Sequence, residues 1–366
     1  MIDEKNMTFD DRTQPGDRLI PLQARYSCRS FSDQEIPEEL LNQVIAAGLN
    51  APTGGNLQAY TVLVIRNPET KKILAELCGQ SFIGGAAVNL LFILDWHRLA
   101  VYAQAKHAPF VAEKSFFQNL IAFADIMCAC QLMETAAYLS GLGACMVGNI
   151  LGHGERLAEL LHLPDRAYPI MMLALGYPAR SSANRPKKLT PEDMVFQETY
   201  PAFSREEIIA AYEQKYGAIT TVLPRDPARR EDMLQRLLAS LRTSYTEQEA
   251  QAILTEVSEA GFLNEMQRRF GLHYACSTAA EQADHLMKDL ALRHILFQSC
   301  GKGAEDEHST AQAVQWRSTF RIRKQGGSGQ LYIALHPEPL YPRIGKNDPY
   351  RPVSPRARWN AADPSG

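Results

Sequence analysis

Residues 119–139 read NLIAFADIMCACQLMETAAYL, a stretch of helical length that is apolar on nearly every side. Its main polar interruptions are Asp125, Gln131 and Glu134. A helix without a polar face must be buried almost all round. Ionisable groups inside it argue against a membrane span. We therefore expect a central helix of a folded domain or a helix at a subunit interface, and we favour the interface of a homodimer.

The segments on either side predict further helices and strands. Upstream, EIPEELLNQVIAAGLN has helical spacing and should end near Gly48. Strand-like runs rich in β-branched and apolar residues are YTVLVIRN, AVNLLFILD and YPIMMLALGYP. Downstream, GERLAELLHL and SREEIIAAYEQKYG read as helices, the second with a capping box from Ser204 and Glu207. This order predicts an α+β fold in which helices flank a mixed sheet.

The length of 366 residues predicts two domains, or one domain with a long appendage. We place a polar leader at residues 1–21, the main domain at 22–217 and a C-terminal extension at 218–366. The extension should be mainly helical, should begin with a linker at 223–230, and should contain a β-hairpin around the glycines of 326–329. Its function is not assigned by any motif.

Composition and charge narrow the class of protein. The formal net charge of −3 gives no electrostatic case for binding nucleic acid. Seven cysteines without a CxxC pair fit reduced thiols. The N-terminus lacks an apolar signal region, and the histidines form no metal-binding pattern. We expect a cytoplasmic protein without a membrane or nucleic-acid partner and without a metal site.

Two basic segments are candidate anion-binding elements. In ARYSCRSF, Arg25, Ser27 and Arg29 alternate, so an extended chain would place all three on one face. Guanidinium groups present forked donors to phosphate oxygens. In NRPKK, Arg185 and Lys187 alternate around a proline. A solvated basic edge and a charged surface loop remain open as alternatives.

Two glycine-containing segments have little side-chain bulk. APTGGNLQAY, residues 51–60, joins a predicted helix to a predicted strand. GLGACMVGN, residues 141–149, lacks the spacing of a dinucleotide-binding fingerprint. Each could bring the backbone close to a flat ligand, and a plain turn explains each nearly as well.

Taken in order, these elements resemble the FMN-dependent nitroreductase family, and within it the oxygen-insensitive NADPH nitroreductase and flavin reductase branch. The resemblance covers roughly residues 22–217. It rests on six segments: RYSCRSF, APTGGNLQAYTVL, CGQSFI, AYLSGLGACMVGNI, LLHLPDRAYPIMMLALGYP and NRPKK. The family implies a twofold homodimer with FMN at its interface.

The resemblance also implies roles for individual residues. Arg25, Ser27 and Arg29 match the motif that holds the FMN phosphate and ribityl oxygens and places a cation near the pyrimidine ring. Arg185 and Lys187 match a basic pair that completes the phosphate clamp. The positions that match flavin-ring contacts are Thr53, Gly54, Asn56, Gln58, Gln80, Met146, Val147 and Gly148.

One departure concerns Val147, where a common family pattern has glutamate; polar steering of the substrate by that side chain is in doubt. Among the predicted flavin contacts, Gly54 and its neighbour Gly55 have no side chain, which lets the backbone come close to the flavin.

The activity implied is a ping-pong, two-electron reduction. NADPH or NADH gives hydride to FMN, and a nitroaromatic, quinone or flavin acceptor then takes the electrons. No side chain need act as acid or base, so no catalytic residue is named. Two alternatives stay open. The same fold could serve another flavin reaction, such as dehalogenation, flavin fragmentation, or ene or heterocycle redox, or the protein could be a flavin-binding interaction protein.

Overall fold

The protein is described by a computed structural model at residue 16 and at residues 19–180 and 186–295. Within these ranges the helices are α1 (Ile20–Gln23), α2 (Glu38–Leu49), α3 (Pro68–Cys78), α4 (Phe82–Gly85), α5 (His97–Ala105), α6 (Phe116–Leu139), α7 (Gly154–Leu161), α8 (Pro191–Met194), α9 (Arg205–Tyr216), α10 (Pro227–Leu241), α11 (Glu247–Ala260), α12 (Glu265–Arg268) and α13 (Ala279–Leu292). The strands are β1 (Tyr60–Ile65), β2 (Val88–Asp95), β3 (Gly143–Val147), β4 (Ala167–Gly176), β5 (Thr220–Val222) and β6 (Phe262–Asn264).

The central sheet has four strands in the order β1-β2-β4-β3. Every neighbouring pair is antiparallel, with Tyr60 opposite Leu94 and Ala144 opposite Leu175. The α+β class is confirmed, but the predicted mixed sheet is wrong in detail. Its one parallel element among the described residues is an isolated bridge between Ser27 and Ala144. Every residue of β2 is buried, which explains its continuous apolar sequence.

Helix α6 is the long apolar helix that the sequence predicts. It packs between α2 and the sheet, and Ser115 caps its first turn by accepting from the Gln118 N–H. Its buried residues include Ile126, Cys130 and Met133. The predicted burial is incomplete in the single chain, because one side of α6 is exposed. We call this side the α6 stripe, and its large apolar members are Phe117, Leu120, Met127, Leu132 and Leu139.

By length and composition alone, α6 could cross a membrane. Its polar residues argue for a protein core instead. Asn119, Asp125 and Glu134 are all buried, and Asn119 accepts from the Trp96 indole N–H at 2.7 Å. Buried polar groups with fixed partners are what a packed protein interior requires.

Helix α9 ends the predicted main domain, and the predicted extension follows it with elements of its own. The capping box of Ser204 and Glu207 starts α9 as predicted. The predicted linker at 223–230 is wrong in its second half, because α10 begins at Pro227. Asp226 caps this helix by accepting from the Arg229 N–H at 2.9 Å. Strands β5 and β6 pair beside a small apolar core formed by Leu223, Leu234, Leu237, Val257 and Leu263. The predicted hairpin around 326–329 lies outside the described residues.

Helix α13 packs back on the main domain. Leu290 and Ile295 belong to the same apolar cluster as Phe92 and Ile126, at the centre of the sheet–α6 interface. The Arg166 N–H donates to the Arg293 carbonyl at 2.8 Å. The boundary between residues 217 and 218 stays a prediction, and residues 279–295 make their contacts on the 22–217 side of it.

Candidate functional site

The segment from Arg25 to Arg29 runs extended along the outer edge of β3. The Cys28 N–H donates to the Ala144 carbonyl at 2.8 Å, next to the parallel bridge of Ser27. Cys28 is buried, whereas Ser27 and Arg29 are exposed. The alternation predicted for this segment is therefore present, with Ser27 and Arg29 facing outward.

Arg25 has a partner that the sequence did not reveal. Its guanidinium forms an ion pair with Glu134 of α6, whose side chain is only 3% exposed. Gln131 also donates to the second Glu134 oxygen at 2.8 Å. Within the described part of the chain, Arg29 has no ion pair. Arg29 is thus the cation of this segment that remains available to an anionic ligand.

The ion pair of Arg25 and Glu134 gives a prediction about stability. Replacing Arg25 with alanine leaves a buried carboxylate without its cation, so the free energy of unfolding should fall by about 3 kcal/mol. Urea unfolding at neutral pH measures this. Arg66→Ala is the matched control, since Arg66 pairs with Glu38 at the surface and should contribute about 1 kcal/mol or less. Adding Glu134→Gln to Arg25→Ala should restore part of the loss, and no recovery would contradict the assignment.

Strand β3 brings a second group of predicted residues to this edge. The bridge pairs Ser27 with Ala144, and the charge of Arg29 acts on the next residue of β3, Cys145. Val147 is buried and ends the strand, and the exposed Gly148 begins a 3₁₀ turn that extends to His153. The structure therefore places Arg29 at the edge of β3, the strand that carries Met146 and leads into the Gly148 turn.

Cys145 lies between these groups and is inert by burial. Burial raises the pKa of its thiol, while the charge of Arg29 acts in the opposite direction. A buried neutral thiol is a poor nucleophile. The interpretation of Cys145 as a packing residue follows from its environment.

Gln80 lies near the same edge because α3 packs against the turn that begins at Gly148, with Cys78 and Ile150 in one apolar cluster. It follows α3, whose C-terminus is capped by Gly79 in a left-handed conformation with φ 62°. Asn149, in the turn after Gly148, donates through Nδ2 to the Cys78 carbonyl at 3.1 Å. This bond links the turn that carries Gln80 to the turn that carries Gly148.

The Thr53–Gln58 loop is attached to a different side of α6. The Gly54 N–H donates to Asp125 Oδ1 at 2.9 Å. A Cβ on Gly54 would overlap Ile121 of α6. The bare backbone at Gly54 is therefore required by helix packing, whereas the sequence suggested close approach to a ligand.

Three residues of this loop, Gly55, Asn56 and Gln58, have left-handed backbone conformations, at φ 59°, 55° and 47°. Such conformations are uncommon for residues other than glycine and often mark ligand contacts. Gln58 also donates to the Leu49 carbonyl at 3.1 Å. Thr53 Oγ1 is buried and has no hydrogen-bond partner among the residues described.

Helix geometry separates the two groups of predicted residues. Asp125, which holds the loop, and Glu134, which holds Arg25, are 134 − 125 = 9 residues apart. Nine residues make about two and a half helical turns and about 13.5 Å of rise. The two anchors therefore face opposite sides of α6, so the Thr53 loop and the Arg25–Arg29 segment are attached to opposite sides of this helix.

The second basic pair is only partly described. Lys187 is exposed, and Arg185 lies outside the described residues. The phosphate clamp formed by this pair stays a prediction. Asp125, Glu134 and Asn149 hold the segments that form the site, and the sequence alone did not assign them to it. Polar residues inside an apolar helix were the signal for the first two.

Fold and site together define a class of protein: an α+β domain whose sheet edge presents a cation and an open glycine turn, features suited to a flat, anionic cofactor. The chain belongs to the nitroreductase family. The sequence model of that family matches residues 22–177.

Among curated proteins, the chain is 34% identical over 194 residues to the FMN reductase [NAD(P)H] of Bacillus subtilis (strain 168). That match covers 52% of this chain and 77% of the relative.

Solved structures give the same fold. The NfrA1 nitroreductase from B. subtilis has a TM-score of 0.51 at 26% identity, covering 54% of this chain and 79% of its own. The hypothetical oxidoreductase YcnD from Bacillus subtilis has a TM-score of 0.58 at 25% identity, covering 77% of this chain and 98% of its own. The match to YcnD thus extends well beyond the length of the family model.

Proposed function

We propose that the protein is an FMN-dependent NAD(P)H oxidoreductase that reduces nitroaromatic, quinone or flavin acceptors by two electrons in a ping-pong cycle. Family membership supports the flavin chemistry. The observation that carries the proposal is the edge of β3, where Ser27 bridges to Ala144, Arg29 is exposed and the strand leads into the exposed Gly148 turn.

The residues present fit FMN in charge and in shape. Arg29 and Ser27 offer a guanidinium and a hydroxyl on one exposed face, as a phosphate and ribityl chain require. Thr53 Oγ1 is a buried polar atom without a partner in the described chain, and a ligand atom would satisfy it. At Gly148 the nearest described atom to an added Cβ is Met171 Cε, 3.8 Å away, so nothing crowds this turn.

A homodimer would complete the site. The Thr53 loop and the Arg29 edge are attached to opposite sides of α6, so a second copy is needed to bring one loop to the other edge. The α6 stripe supplies an exposed apolar surface of the kind that subunit interfaces bury. In this arrangement each site takes Arg29, Gln80 and Gly148 from one chain and Thr53, Asn56 and Gln58 from the other.

When bound, FMN supplies the electron-transfer chemistry, and the protein binds and orients it. Arg29 and Ser27 hold the anionic end, and Arg185 and Lys187 are proposed to complete the clamp. The backbone of Met146, Val147 and Gly148 would contact the cofactor. Val147 is buried, so it offers no polar contact to an acceptor. Protons for the reduced acceptor come from water.

The donor and the cellular location belong to the same proposal. NADPH or NADH is the electron donor, in line with the activity named for the B. subtilis relative. We place the enzyme in the cytoplasm, where both nucleotides and reduced thiols are maintained.

Anaerobic flavin reduction tests the proposal. Purified protein reconstituted with FMN should lose its visible flavin absorption on addition of NADPH or NADH, and regain it when a quinone is added. A control with free FMN at the same concentration measures the uncatalysed reaction. A protein that binds FMN but accepts no electrons from either nucleotide would point to another flavin reaction. Failure to bind FMN at all would overturn the assignment.

A further inference from the structure

The 3₁₀ turn Gly148–His153 has two glycines and few bonds of its own. Its first end is held by Asn149, which donates to the Cys78 carbonyl at 3.1 Å. Further along, the Tyr168 hydroxyl donates to the Leu151 carbonyl at 2.9 Å. Tyr168 is fully buried, and its ring lies so close to Gly154 that a Cβ there would overlap it. Ile150 is buried in the apolar cluster that contains Leu74 and Cys78, so Tyr168 determines the position of the second half of the turn, from Leu151 onward.

Helix α13 holds Tyr168 from the other side. Asp289 Oδ2 lies 3.4 Å from the Tyr168 hydroxyl and shares the single proton of that hydroxyl with the Leu151 carbonyl, and only 5% of Asp289 is exposed. His285, one turn earlier, places Nε2 3.3 Å from the Gly152 carbonyl and Nδ1 3.8 Å from Asp289 Oδ1. Two side chains of α13 thus contact the turn directly or through Tyr168.

The helix that provides these contacts is itself firmly placed. Leu290 and Ile295 lie in the main apolar cluster. Arg293 donates through its guanidinium to the Leu163 carbonyl at 2.6 Å and to the Pro164 carbonyl. A helix fixed by apolar burial and by backbone hydrogen bonds can hold a loop in one conformation.

We propose that Tyr168, Asp289 and His285 are positioning residues, which fix the Gly148–His153 turn so that Gly148 keeps its place beside the flavin. This inference rests on the proposed function, since it gives the turn a task in flavin chemistry. It assigns part of the predicted C-terminal extension to the site, although none of its side chains needs to touch the cofactor. Such residues act through geometry, where displacement of a reacting group by about 1 Å can cost up to about a hundredfold in rate.

Four variants of the full-length holoenzyme test the inference. Tyr168→Phe removes the hydroxyl, and Asp289→Leu removes the acceptor with little change in volume. Asp289→Asn keeps an acceptor for Tyr168 and is the conservative rescue. Asp284→Asn changes an exposed carboxylate on the same helix and is the matched control.

Two measurements separate positioning from folding. Hydrogen exchange of the amides at 149–153 reports the turn directly, and it should speed up about fivefold in Tyr168→Phe and Asp289→Leu, since one net hydrogen bond is worth about 1 kcal/mol. Single-turnover reduction of the bound flavin by NADPH should slow about tenfold in the same variants, with kcat falling while KM for NADPH changes little. Asp289→Asn and Asp284→Asn should stay close to the parent protein in both.

The outcomes distinguish this inference from the proposed function. If the parent protein is reduced neither by NADPH nor by NADH, the proposed function fails, and the assignment of a flavin task to the turn fails with it; exchange then still reports whether Tyr168 and Asp289 hold the turn. If the parent is reduced normally and the variants exchange and react like it, only the positioning role is overturned. Faster exchange with unchanged flavin reduction also overturns it, because the contacts would then be structural alone.

Discussion

Met127→Arg in the middle of the α6 stripe is expected to convert the protein into a monomer that no longer retains FMN. Met127 is 37% exposed in the single chain and lies among other apolar residues of the stripe. Across a twofold interface the substitution acts twice, and each guanidinium would be buried without a partner. Burying an unpaired charge costs several kcal/mol, and about 1.4 kcal/mol is a factor of ten in a dissociation constant. The dimer should therefore weaken by more than about a hundredfold.

Light scattering coupled to gel filtration at micromolar protein measures the assembly, and absorbance of the eluting peak measures bound flavin. Val222→Arg is the matched control, because Val222 is 75% exposed on β5 of the extension and should tolerate the same side chain. Loss of the dimer with full retention of FMN would show that one chain makes the whole site. A persisting dimer would place the interface on another surface.

Arg29→Ala is expected to weaken FMN binding by about ten- to a hundredfold. Arg29 is exposed beside β3, and a charge-assisted hydrogen bond contributes about 1.5–3 kcal/mol. Because this arginine has no ion pair in the described part of the protein, its removal leaves no carboxylate without a partner. The free energy of unfolding should therefore stay nearly unchanged. Arg29→Lys should recover part of the affinity, since it keeps the charge but loses the forked geometry.

The affinity is measured by quenching of FMN fluorescence at two salt concentrations. Arg242→Ala serves as the control, because Arg242 pairs with Glu247 in the extension at 2.8 Å. Combining Arg29→Ala with Arg25→Ala should leave no tight binding, although part of that loss would come from the buried Glu134. An affinity for FMN that is unchanged in Arg29→Ala would rule out the clamp.

The elements with strong periodicity could be predicted from the sequence. The run of β2 and the length of α6 follow from apolar residues spaced within a few positions of one another. The alternation of exposed and buried side chains at Ser27, Cys28 and Arg29 also depends only on neighbouring positions. The structure shows this alternation. The family assignment rested on such local segments in order.

Contacts between distant positions could not be predicted in this way. Arg25 and Glu134 are 109 residues apart, and nothing near either residue identifies the other. The need for Gly54 arises from Ile121, which only folding brings close. The resemblance assigned Arg25 and Gly54 to the cofactor, and those assignments stay predictions; the contacts with Glu134 and Ile121 are additional roles that local sequence does not show.

The placement of Leu290 and Ile295 in the main apolar cluster bears on how the protein is made. The sheet and α6 are complete by residue 176, yet their core closes only when α13 arrives more than a hundred residues later. Until the ribosome has released that helix, the nascent chain exposes apolar surface, and such surface is where aggregation begins. Premature termination within the extension would therefore lower the yield and the solubility of the protein, whatever its effect on turnover.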